Sequence, residues 1–140
     1  MANPLTEGVA SNATNIVLRR FDFVGKYEND PATVIAFLHD KAVHEDRRDT
    51  LYALAELSYL YGELLEKSVA EAEQALAPDY FLIASIYAYL FLLGDRIEPA
   101  PNAFDLRART AWDLYNFALW RGLETGNAGT LNVRAAVLSG

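Results

Sequence analysis

The chain has no cysteine among its 140 residues. That excludes disulfides, thiol nucleophiles, zinc fingers and iron–sulfur ligation together. A protein without cysteine suits reducing and oxidising compartments alike, so its localisation stays unknown on this ground. Histidine is almost as scarce. His39 and His44 lie five apart, which on a helix turns them about 140° from one another, so they cannot share a metal as an i, i+4 pair would. Their surroundings, HDKAVHEDRRD, read as a solvated turn with helix-end charges. Cations are the minority: 12 Lys and Arg against 19 Asp and Glu give a net charge of −7. No basic run breaks that pattern, so binding to nucleic acid or to anionic lipid is not expected.

Long apolar runs are missing too. The longest, Phe81 to Gly94, falls short of the roughly 20 residues a bilayer requires and is bracketed by Asp79 and Asp95. It reads as a buried core helix, not a transmembrane segment. Asn3, Thr6, Glu7, Ser11 and Asn12 interrupt any signal-peptide core within residues 1–20. There is no G-x-S-x-G elbow and no glycine-rich phosphate loop. Ser58 and Ser85 fall inside helical patterns, where neither is set up as a nucleophile. Glu56 and Glu63 are two turns, roughly 10 Å, apart on a stripe that reads as the water-facing edge of its helix. No catalytic residue, no cofactor site and no metal site is therefore expected.

What the chain does have is apolar bulk, 52% of residues, with 12% aromatic. That is enough for one domain with a sizeable core. The spacing predicts an all-α fold of about five helices in antiparallel hairpins. Asn3-Pro4 starts a leading helix to about Arg20, and Asp30-Pro31 starts a second to about His44. A third covers roughly Thr50 to Ser68, with Asp49, Glu56, Glu63 and Glu66 on one narrow stripe beside Tyr52 and Tyr59. Pro78 opens a fourth, ended by Gly94 as a C′ glycine. Asp105 caps a fifth running to about Glu124, after a proline-bearing loop at 95–103. The helical domain spans 1–126. Residues 127–140 read as a loop and, over 130–138, a possible strand belonging to a further domain.

Three of these helices share a pattern of small and aromatic residues: Ala55, Tyr59 and Gly62; Ala84, Ala88 and Phe91; Ala111, Tyr115 and Ala118. Their starts lie 29 and 27 residues apart, unlike the constant 34 of a tetratricopeptide array. An irregular tetratricopeptide-like stack or a plain bundle fits this spacing. Tyr59, Tyr87 and Tyr115 could line a groove for a small ligand. Trp120 falls on the polar stripe Arg109, Asp113, Asn116, Trp120, which makes that stripe a candidate interaction surface.

The segments VLRRFDFVGKYENDPATVIAFLHD, TLYALAELSYLYGELLEKS, DYFLIASIYAYLFLL and FDLRARTAWDLYNFAL together resemble the N-terminal helical region of large bacterial α/β-hydrolase-type (esterase- or lipase-like) envelope proteins. The resemblance implies that the chain is a fragment of a larger protein in the bacterial envelope. It also implies a hydrolase domain downstream, although no catalytic residue of that family has a counterpart here. Three functions follow as expectations. The first is a non-catalytic scaffold or interaction module, whose partner is a downstream domain or another protein. The second is a cap or accessory domain of such a hydrolase, and the third is a small-ligand binder using the tyrosine groove.

Overall fold

The computed structural model describes residues 9–45, 48–97 and 106–125. Among them are six helices and no strand: α1 Asn12–Arg20, α2 Val24–Asn29, α3 Pro31–Glu45, α4 Arg48–Glu66, α5 Glu71–Ile97 and α6 Leu106–Thr125. The all-α expectation holds. The Asn3-Pro4 start signal, Asp105 and the 130–138 segment lie outside the described residues.

Helix α4 is the centre. Twelve of its residues are buried, from Thr50 to Leu65, because α1 and α3 cover one side of it and α5 and α6 the other. Phe81, Phe91, Leu54, Leu57 and Leu114 are the largest apolar side chains closed off around this axis, with Leu38 of α3. Small residues set the spacing. A Cβ on Gly62 would lie 2.9 Å from the Phe81 ring, and one on Gly122 would lie 2.3 Å from Cγ of Leu82. Glycine is what lets α5 close on α4 and α6 close on α5. Ala55, Ala84, Ala88, Ala111 and Ala118 are all fully buried at the same contacts.

The start of the chain is divided where a single helix was expected. Helix α1 opens at Ser11, whose Oγ accepts from the Thr14 N–H at 3.4 Å, and it closes after Arg20 in a Schellman turn. The Phe23 N–H donates to the Leu18 carbonyl at 2.7 Å and the Asp22 N–H to that of Arg19 at 3.1 Å. Asp22 takes the left-handed conformation, φ 58°, that this turn needs. Phe21 and Phe23 then pack edge-on against Phe37 of α3, centroids 5.3 and 4.7 Å away. That cluster fixes the short α2 and the corner into α3. As its sequence indicates, Asp30 caps α3, with its carboxylate accepting from the Thr33 hydroxyl at 2.6 Å.

Two predicted boundaries are overturned in α5. The helix begins seven residues before Pro78 and continues past Gly94, so Pro78 is interior and Gly94 does not stop it. The start is set instead by Ser68. Its Oγ accepts from the Ala70 N–H at 3.1 Å and donates to Glu73 at 3.2 Å, while the Gln74 side chain reaches back to its carbonyl. Burial of Phe81 to Leu92 against α4 and α6 then holds the helix together across both residues.

Candidate functional site

Arg109, Asp113, Asn116 and Trp120 all lie exposed on one face of α6, and Trp120 keeps 62% of its surface open. The face is more apolar than that stripe alone. Phe117 is 54% exposed, Leu123 52% and Trp112 47%. At 100° per residue, Trp112, Asn116, Trp120 and Leu123 fall within an arc of about 80°. Extending the stripe by that rule would have found Trp112 and Leu123. Trp112 meets Tyr115 edge-on at 6.3 Å, and Tyr115 lies 6.0 Å from Tyr89 of α5. Half-exposed Tyr89 carries the aromatic surface from α6 onto α5.

The three tyrosines of the proposed groove are shared out among separate contacts. Tyr59 is buried against Phe81, and its hydroxyl accepts from Arg121 at 2.9 Å. Tyr87 is buried against α3, where its hydroxyl bonds Nδ1 of His39. Tyr115 is half-buried at the α5–α6 edge, beside Trp112 and Tyr89. A cavity of about 340 Å³ lies elsewhere, between α1 and α4, lined by Ala13, Ile16, Asp49 and Tyr52.

Arg121 ties the end of α6 to α4. Its guanidinium lies 4.3 Å from the Phe81 ring centre and donates to Glu63 at 3.2 Å and to Glu66 at 2.5 Å. Burial works against its charge, but Tyr59, Glu63 and Glu66 outweigh that and raise its pKa. Burial likewise pushes the Tyr59 hydroxyl up, against the pull of Arg121. With its partners all supplied from within the bundle, the cluster serves to join helices.

The charged stripe of α4 does not face water throughout, as its spacing had suggested. Glu63 and Glu66 stand at the edge, but Glu56 is 0% exposed, roofed by the first turn of α1. Its Oε1 accepts from the Ser11 backbone N–H at 2.6 Å, while Oε2 has no hydrogen-bond partner. Burial drives its pKa up, opposed by the Ser11 amide and by the Thr14, Ser11 and Tyr52 hydroxyls. Tyr52 itself is buried and pushed up by burial first and by Glu56 second. It also meets Thr110 of α6, so three helices share this polar junction.

His44 bonds back to the Asp40 carbonyl at 2.8 Å on the exposed end of α3. Among the described residues, no three His, Asp or Glu side chains gather as a metal site needs. By length and composition alone, Glu71–Leu93 of α5 would cross a membrane, with mean hydropathy 1.6, and half of that stretch is buried inside the bundle. No protein-family model, curated protein or solved structure matches the chain.

Proposed function

We propose that the protein is a non-catalytic helical interaction module that docks through the aromatic face of α6 onto a further polypeptide, either a downstream domain of the same chain or another protein. The observation that carries this reading is Trp120. A tryptophan 62% exposed, flanked by Phe117, Leu123 and Trp112 on the same face, is the composition of a binding hot spot. Helix α5 is read as a core helix of this module, its apolar length serving α4 and α6. A hydrolase domain, which the sequence resemblance suggests, would be one such occupant.

The two tryptophans of the chain both lie on this face, so intrinsic fluorescence reports on it directly. A photo-crosslinking residue placed at position 120 in cells should capture one defined polypeptide, while the same residue at Gly25 should not. In the purified chain, Trp120→Ala should change folding stability by no more than about 0.5 kcal/mol, the range of a surface substitution. No adduct specific to position 120, or a loss above about 2 kcal/mol, would show the ring to be structural and remove the docking role.

A further inference from the structure

Among the described residues, Glu56 is the one charged side chain closed off from solvent, and its surroundings suit a carboxylic acid better than a carboxylate. Ionised, it has a single backbone N–H at Oε1 and nothing bonded to Oε2. Of the described groups that act on it, none is a cation and none comes from α3 or α5. Buried charge in that setting is costly. Protonated, Oε2 becomes a donor, and the Thr14 hydroxyl that faces it is itself fully buried with its Oγ1 unpartnered. One proton therefore satisfies two buried atoms that ionisation leaves open.

We propose that Glu56 is a proton-operated latch on α1: protonated, it closes the junction of α1 with α4, and on losing its proton it lets the first turn of α1 lift away. The fold puts α1 where such a latch can act. It is only nine residues long and packs on α4, with a small contact to α2. Its start is held by the Ser11–Glu56 bond and its end by Arg20 on Asp49 at 2.5 Å. The cavity lined by Ala13, Ile16, Asp49 and Tyr52 lies between these two ties. Arg20 and Asp49 stay charged from pH 5 to 8, so that end acts as the hinge. Tyr27 of α2 and Tyr52 of α4 are the other titratable groups near Glu56, and burial keeps both hydroxyls neutral over the same range.

The sign follows from the direction of the shift. A carboxyl that holds its proton more tightly when folded contributes fully below the ordinary carboxylate pKa. That contribution is lost as pH rises through the folded value. Amide hydrogen exchange at residues 15–18 of the whole chain, corrected for intrinsic chemistry, should show protection falling at least ten-fold between pH 5 and 8. Protection in α5 should not change. Glu56→Gln, whose side chain cannot ionise, should abolish the dependence. Carboxyl ¹³C NMR of the unaltered protein should place the Glu56 titration above the ordinary value of about 4.3, and it decides the matter even if the variant does not fold. A titration at or below that value, or a pH dependence that survives in E56Q, overturns the latch.

Discussion

Replacing Gly122 by alanine measures how tightly α6 is seated on α5. The new methyl would sit 2.3 Å from Cγ of Leu82 and 2.9 Å from both of its Cδ atoms. Carbon atoms in contact prefer about 3.5–4.0 Å, so the Leu82 side chain must retreat by more than about 1 Å. It has little room, being buried between the helices. Overpacking of this kind costs about 1–3 kcal/mol, offset by up to about 1 kcal/mol from the better helix propensity of alanine. A net loss of about 1–2 kcal/mol is expected from urea denaturation followed by circular dichroism. Leu82→Ala alone should cost about 2–3 kcal/mol, the low end for a buried leucine. In the double variant the clash is gone, so the two losses should fail to add by about 1–2 kcal/mol. Gly25→Ala is the control: nothing lies within 4 Å of its added methyl, and a gain of roughly 0.5–1 kcal/mol is expected. If Gly122→Ala stabilises by the same amount, or adds with Leu82→Ala, the close approach of α5 and α6 is wrong.

Two further substitutions probe the corners of the fold. Asp22→Gly removes a side chain from a left-handed position at the end of α1, and thermal melting should register a gain of about 0.5–1 kcal/mol. An unchanged or lower midpoint would mean that the aspartate side chain contributes more than its backbone conformation costs. Arg121→Met keeps apolar contact with Phe81 but leaves Glu63 and Tyr59 without their donor, and should lose about 1–3 kcal/mol in urea denaturation. A neutral result would reduce the Arg121 cluster to a solvated surface feature.

Helix type was legible in the sequence because period-3.6 apolar spacing and end signals such as Asp30-Pro31 are local. The exposure of Trp120 was legible for the same reason, since it lies opposite the buried line Ala111, Leu114, Ala118 of its own helix. The burial of Glu56 was not. Periodicity assigns a residue to an arc of its helix but does not say which arcs another element will cover. The arc holding Glu56 is roofed by α1, an element far away in sequence. Pro78 and Gly94 misled in the opposite way, because a local breaking tendency of a few kcal/mol yields to burial of the long apolar run between them. The start of α5 did have a local signal, a serine at 68 followed by Glu71, Glu73 and Gln74, which the stronger mark of a proline concealed.

The way the interior joints are made also constrains what the aromatic face of α6 can receive. Each joint sets a bulky residue against a glycine: Phe81 on Gly62, and Leu82 on Gly122. The outer face of α6 carries only the bulky half of that pairing, in Trp112, Phe117, Trp120 and Leu123, with no small residue exposed among them. A helix cannot approach it closely by adding large side chains of its own, because two convex aromatic surfaces leave voids that cost contact energy on both sides. The occupant of the proposed docking face should therefore present small residues or a groove, into which Trp120 fits as Phe81 fits over Gly62. Narrowing that groove on a captured partner, by a single small-to-large substitution opposite Trp120, should weaken binding more than removing any one charge at the rim. Recovery on pairing the narrowed partner with Trp120→Ala would show that shape makes the joint, and equal sensitivity to rim charges would show that it does not.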